Sequence, residues 1–431
     1  MAINSAFLQV KDSDFILGEN KIVLKGVGIG NWLNLEHFML GIPGTEEEIR
    51  ETLLSKFGVK NASLFWNAYY RNFFNEQDVV FIKNNGFNSI RIAINHHHFN
   101  SSGNIEQSIA IKEINRIIPF CRENNIYIIL DMHTSPGGQN PDWHSDNNTG
   151  KDKFWQDTSA QSEIVSLWGK IADYYKNEPA IAGYDLLNEP CYFSPGNDEI
   201  MIKFYEQCSW EIRQYDTHHI LIYEGNQYAR DFTMFTEYLD ENSAYSFHYY
   251  PFLQFPAEKK SGENQKQLIN QKLKSDVSLE HLLNLGKPIW CGETGHLARH
   301  PLSYMVLVEF LQVLNSYHIS WALWPYKDIG DMGIVCPNEK SEWGKLSNQL
   351  TNHWDFWKVF TQDSLIAAQK NENKYLYYQQ LAYETTKAHK LFAANLQTSH
   401  TESFTESIED FSFDKTIVNK HYKDILPKII G

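Results

Sequence analysis

Eight short apolar runs, each followed by a longer connecting stretch, constrain this 431-residue chain more than any other feature. They are KIVLKGVGIG from Lys21, NSIRIAIN from Asn88, IYIILDMH from Ile126, IAGYDLLNEP from Ile181, HILIYEG from His219, AYSFHYY from Ala244, KPIWCGE from Lys287 and ISWALWP from Ile319. Apolar residues on both faces of such runs are the pattern of a buried parallel sheet. Between them, stretches such as SIAIKEINRIIPFCRENN ending at Asn125, SEIVSLWGKIADYYKN ending at Asn177 and LSYMVLVEFLQVLNSYH ending at His318 space apolar residues three and four apart, as helices do. Eight alternating units in a chain of this length predict an α/β fold, a closed (β/α)8 TIM barrel rather than an open sheet.

Two segments depart from the repeat. Residues 33–75 form a long first βα connection rich in Phe, Trp and Tyr, expected as a lid or wall over the barrel mouth. After Pro325 come a Gly- and Lys-containing loop, a final barrel helix predicted near His353–Phe360 and a further helix over LYYQQLAYETTKAHKLFAANL. One catalytic domain over 1–395 and a polar tail or appendage over 396–431 follow from this reading.

Composition removes several functions. With 38 Lys and Arg against 53 Asp and Glu, a net charge of −15 argues against a nucleic-acid partner. No apolar run reaches the roughly 20 residues of a membrane-spanning helix. The N-terminus has no basic start leading into an apolar stretch, and the five scattered cysteines, Cys121, Cys191, Cys208, Cys291 and Cys336, form no paired motif. Free thiols and a cytosolic setting are the expectation. The 14% aromatic content, with 12 Trp, suits stacking on sugar rings as well as core packing.

In a parallel barrel the working residues gather at the C-terminal ends of the strands. Read in that order, the ends offer Asn31, Trp32 and Glu36 near the first strand, Arg91 within the second and His133 ending the third. Asn188 and Glu189 end the fourth, His248 and Tyr250 the sixth, Glu293 the seventh and Trp324 the eighth. Two of these, Glu189 and Glu293, are carboxylates three strands apart, facing each other across the mouth. Acetal hydrolysis needs such a pair, one to protonate the departing oxygen and one to attack the anomeric carbon.

The motifs DLLNEP (185–190), WCGETG (290–295), RIAI (91–94), DMH (131–133) and FHYY (247–250), in this order, resemble glycoside hydrolase family 5 over about residues 21–326. GIGNWLNLEHF (28–38) and MHTSPGGQNPDWHSDN (132–147) resemble its exo-β-1,3-glucanase and β-glucosidase-like branch. The resemblance implies a retaining β-glycosidase with a carbohydrate substrate, no cofactor and no metal. It implies Glu189 as acid/base and Glu293 as nucleophile. Asn188 then holds the sugar 2-hydroxyl, and Arg91 keeps Glu293 ionised. Tyr250 hydrogen-bonds Glu293, His133 and His248 line the site, Trp324 forms a platform beneath the sugar, and Glu36 accepts from hydroxyls of the non-reducing-end sugar.

Other readings carry their own residues. A barrel metallohydrolase would use His96, His98, His133 and His248, though no carboxylate or cysteine motif accompanies the His96–His98 triplet. A sugar-binding protein on a retired scaffold would have no need of both carboxylates. A β-mannosidase or a glycolipid-directed enzyme would differ by a few pocket contacts. His144 and Asp146 read as pocket lining, Trp168 and Tyr174 as core packing. GVGIGN and SPGGQN lack the spacing of phosphate-binding loops and read as turns.

Overall fold

The computed structural model of the chain is described for residues 6–40, 44–99, 103–192, 198–254, 263–298, 303–341, 343–345, 348, 416–423 and 425–430. All eight apolar runs form strands: β1 (Lys25–Leu33), β2 (Ser89–Ile94), β3 (Tyr127–Met132), β4 (Ile181–Asp185), β5 (Ile220–Glu224), β6 (Ser243–His248), β7 (Ile289–Thr294) and β8 (Ser320–Leu323). They pair in parallel in chain order, and β8 returns to β1 to close the barrel. Every residue of β2 to β8 is buried, which explains why the runs show no polar alternation.

The three quoted helices form as well. Ile109–Asn124 turns Ala110, Ile111, Ile114, Ile117, Ile118 and Cys121 toward the barrel, a three- and four-residue stripe. Ser108 caps its start by accepting the Ile111 N–H, and Asn125, in the left-handed region at φ 52°, ends it. Thr158–Tyr175 is capped by Asp157, which accepts from Ser159 and Ala160. Ser303–Ser316 buries Val306, Leu307, Phe310, Leu311, Val313 and Leu314. Trp168 is core, as expected, and Tyr174 is half-buried against it.

The run from Lys21 divides. Asn20–Ile22 belongs to a small antiparallel meander with Gln9–Lys11 and Asp14–Leu17, and the barrel strand starts only at Lys25. This meander covers the N-terminal end of the barrel, where Asn242 Oδ1, just before β6, accepts the Val10 N–H at 2.9 Å. GVGIGN is not a turn, because it lies inside β1. A Cβ on Gly28 would stand 2.3 Å from Trp324 Cε3, and one on Gly30 would stand 2.9 Å from Trp324 Cζ2, so both glycines make room for an indole. SPGGQN does turn, with Gly137 and Gly138 at φ 79° and 80°.

The long first connection is a folded-back helix pair. Glu46–Phe73 begins at a capping box made by Thr45 and Glu48 and breaks at Gly58, where φ is 73°. In an unbroken helix Arg50 and Tyr70 would be about 30 Å apart. Instead the Arg50 guanidinium bonds the Tyr70 hydroxyl and lies 4.1 Å from the Trp66 ring centroid. Glu46 ties the first arm to the barrel rim by accepting the Leu35 N–H at 2.9 Å and meeting His98 Nε2 at 2.6 Å. The segment is therefore a clipped wall at the mouth.

Within 396–431, Thr416–Val418 pairs antiparallel with Val335–Pro337, and Tyr422, Ile425, Leu426 and Ile429 are buried. The two helices expected after Pro325 lie outside the described residues.

Candidate active site

The strand ends bring the nine residues given roles by the resemblance into one network, whereas Trp32 donates to the Tyr70 carbonyl outside it. Arg91, fully buried in the barrel, is its hub. Its Nη1 donates to Glu293 Oε1 at 2.6 Å, its Nε to Asp185 Oδ2 at 2.8 Å, and its Nη2 to Asn188 Oδ1 at 2.8 Å and Glu224 Oε1 at 3.0 Å. Asp131 Oδ2 stands 3.2 Å from Nη1. Burial alone would lower the Arg91 pKa, but Asp131, Asp185, Glu293 and Glu224 outweigh it, so the guanidinium stays charged. Burial also pushes the Asp185 carboxyl well up, helped by the neighbouring Glu224.

Glu293 is almost wholly buried, and its second oxygen accepts the Tyr250 hydroxyl at 2.7 Å. Across the mouth, Glu189 Oε1 meets His248 Nδ1 at 2.8 Å and Oε2 meets His144 Nε2 at 3.0 Å. Burial would raise the Glu189 pKa, yet the two imidazoles hold the carboxyl well below its ordinary range. Oxygens of Glu189 and Glu293 and a ring nitrogen of His248 all lie within 4.8 Å of one another.

The backbone of Glu189 sits in the left-handed region at φ 44°, a conformation a non-glycine residue holds only when surroundings enforce it. Glu224 Oε2 enforces it by accepting the Glu189 N–H at 2.6 Å, while Glu224 Oε1 lies 3.1 Å from His248 Nε2. Burial would lower the His248 pKa, but Glu224, Glu293 and Glu189 raise it well above its usual value. The motif reading overlooked Glu224, although it ends β5 as Glu189 and Glu293 end their runs. It also gave no role to Asp131 and Asp185, whose signal was a carboxylate inside an otherwise apolar strand.

On the far side, His133 Nδ1 meets Asp131 Oδ2 at 2.6 Å, its Nε2 faces Asn188 Nδ2 at 3.4 Å, and Glu36 Oε1 lies 3.5 Å from the same Nε2. Burial works against protonation of His133, but Asp131 and Glu36 lift its pKa to about 10. Its ring stacks on Trp324 at 5.3 Å and 9°. Burial raises the Glu36 pKa, and the Asn31 side chain fixes the turn by accepting the Glu36 N–H at 2.6 Å. Phe38 and Trp143 pack edge to face at 5.4 Å beside this corner.

The four histidines of the metallohydrolase reading are not assembled. His98 is held by Glu46 and His96 by Thr134, while His133 and His248 serve different carboxylates. Among the described residues, Glu189, His248 and Glu293 stand close enough to share a cation, but all four carboxylate oxygens already face hydrogen-bond donors of the protein.

A family model described as cellulase (glycosyl hydrolase family 5) matches residues 50–330. The chain belongs to glycosyl hydrolase family 5. As a family 5 glycoside hydrolase it is 35% identical over 350 residues to a beta-xylosidase of Phanerodontia chrysosporium, covering 77% of this chain and 72% of that protein. It is 23% identical over 240 residues to a probable glucan 1,3-beta-glucosidase A of Emericella nidulans, covering 48% of this chain and 59% of that one. Its fold is similar to that of the beta-glucanase SdGluc5_26A from Saccharophagus degradans, with a TM-score of 0.52 at 18% identity over 81% of this chain and 94% of that one.

Proposed function

We propose that this family 5 enzyme is an exo-acting retaining β-glycosidase that removes a β-glucosyl or β-xylosyl residue from a non-reducing end. The observation that carries the reading is the approach of Glu189 and Glu293 oxygens to within 4.8 Å. Double displacement needs carboxyl groups about 5–5.5 Å apart, whereas inversion leaves about 6.5–9.5 Å for a water.

The steps use groups already described. Glu293 attacks the anomeric carbon while the glycosidic C–O bond breaks and its electron pair stays on the leaving oxygen. Glu189 gives that oxygen a proton, leaving the sugar as an ester of Glu293. A water then attacks the same carbon, Glu189 takes its proton, and the ester bond returns its electrons to Glu293. Arg91 and Tyr250 aim the nucleophile and stabilise the carboxylate when it leaves. Asn188, oriented by Arg91, faces the 2-hydroxyl, where a hydrogen bond strengthens as the ring flattens. Trp324 carries the apolar sugar face.

Exo action is supported by the corner of Glu36, Phe38 and Trp143, where a longer sugar chain would have to continue. Glucose and xylose share their equatorial hydroxyls and differ by one hydroxymethyl group, a difference of about 1–3 kcal/mol in a fitted pocket. The 35% relative named as a beta-xylosidase supports including the pentose. A panel of aryl β-glucoside, β-xyloside and β-mannoside with short β-glucans tests the proposal, with products separated by chromatography and the first-formed anomer read by NMR. A first-formed α-anomer, or mid-chain cleavage alone, would sink it.

A further inference from the structure

Glu189 has an imidazole on each oxygen, and the two are not equivalent. His248 is held from below by Glu224 and is 1% exposed at its side chain, whereas His144, on the turn Trp143–Ser145, is 13% exposed. His144 Nε2 also lies 3.0 Å from Asn140 Nδ2. That amide is fixed, since Asn140 Oδ1 accepts the Asp142 N–H at 3.0 Å and Nδ2 also donates to the Glu189 carbonyl at 2.9 Å.

One ring nitrogen cannot both donate and accept. If His144 Nε2 carries hydrogen it donates to Glu189 Oε2; if it is bare it accepts from Asn140, and the contact with Oε2 is a hydrogen bond only when the proton sits on Glu189. The pair holds a transferable proton either as imidazolium and carboxylate or as an Nδ1–H imidazole and a carboxylic acid.

The turn after β5 supports the same corner. Gln227, Tyr228 and Ala229 are all left-handed, at φ 55°, 59° and 57°, a conformation costing about 1 kcal/mol or more per residue. It delivers the Tyr228 hydroxyl to Asp142 Oδ2 at 2.6 Å and places the ring 6.1 Å from that of His144. The titratable groups facing His144 are thus Glu189, Asp142, Tyr228, Glu36 and His133, the last with ring centroids 6.5 Å apart.

We propose that His144 is a positioning residue that shares with Glu189 the proton destined for the leaving group, keeping it in the pair at a pH where Glu189 alone would have lost it. This rests on Glu189 being the acid/base. When the glycosidic oxygen takes the proton, the pair is left as a neutral imidazole and a carboxylate, the form that accepts a proton from water in the second step. Burial lowers the His144 pKa, but Glu189 and Asp142 outweigh it and raise it above its ordinary value.

The test follows kcat/KM against pH for wild type, His144→Gln, Asp142→Asn and Glu189→Gln. One substrate is a phenyl β-glycoside, which needs protonation of its leaving group; the other is a dinitrophenyl β-glycoside, which does not. With the phenyl substrate, His144→Gln moves the alkaline limb down by about one pH unit, a tenfold loss at the upper end. That loss exceeds the loss on the dinitrophenyl substrate by about tenfold. Asp142→Asn, which keeps an acceptor for Tyr228, moves the limb in the same direction by less, and carries the test if His144→Gln does not fold. An unmoved limb, or equal losses on both substrates, overturns the proposal. Absence of leaving-group dependence in Glu189→Gln would instead remove the acid/base assignment itself.

Discussion

The carboxylate of Glu224 accepts the backbone N–H of Glu189 at 2.6 Å, so a side chain from the fifth strand fixes the conformation of the proposed acid/base residue at the end of the fourth. Glu224 is fully buried and also meets Arg91 and His248. Glu224→Ala leaves both cations short of a partner, and unpairing a buried charge costs roughly 3–5 kcal/mol. The expected result is a lowered urea midpoint with about a hundredfold or greater loss of kcat. Glu224→Gln keeps an acceptor and falls between this variant and wild type.

Glu293→Gln keeps the shape of the site and removes the proposed nucleophile. Turnover is expected to drop by about three orders of magnitude or more with folding intact, read by steady-state rates and circular dichroism. Glu189→Ala is expected to regain activity on an activated aryl glycoside when azide is added, with a glycosyl azide as product. Wild-type activity in either variant contradicts the assignment.

Gly28→Ala places a methyl group where Trp324 Cε3 stands, 2.3 Å from the new carbon. The indole must shift, and overpacking of this kind costs about 1–3 kcal/mol. Because Trp324 stacks on His133, KM is expected to rise along with the loss of thermal stability. A raised melting temperature or an unaltered KM would argue that the indole is no platform.

His133 gives the fold a pH dependence whose sign is fixed by its raised pKa. An imidazole near 6.5 in the unfolded chain and about 10 in the folded protein contributes stability that is fully present below pH 6.5 and is lost as pH rises through 10. Melting temperature is therefore expected to fall across that window, and to fall less steeply in His133→Gln. Parallel curves for the two proteins would refute the assignment.

Much of this was legible in the chain. The eight runs of β1 to β8 carry their burial in their own composition, and the rule that barrel chemistry sits at strand ends pointed to nine of the residues that meet in the network, but not to Asp131, Asp185 or Glu224. The same rule, applied to HILIYEG, would have found Glu224. The fold-back at Gly58 was not legible, since a glycine in a helical pattern reads as a weak helix former until Arg50 is seen on Tyr70 and Trp66.

Amino-acid order alone determined that these strands must be buried on both faces, that helices must cover them, and that two carboxylates must face each other at one end. Which groups share Arg91, and which oxygens face which imidazoles, was decided only when the barrel closed. Register does this: it sets Asp131 beside Asp185 and Glu293 beside His248, residues far apart in the chain. Local pattern encodes burial and period, whereas the pairing of charges depends on distances that exist only between neighbouring strands.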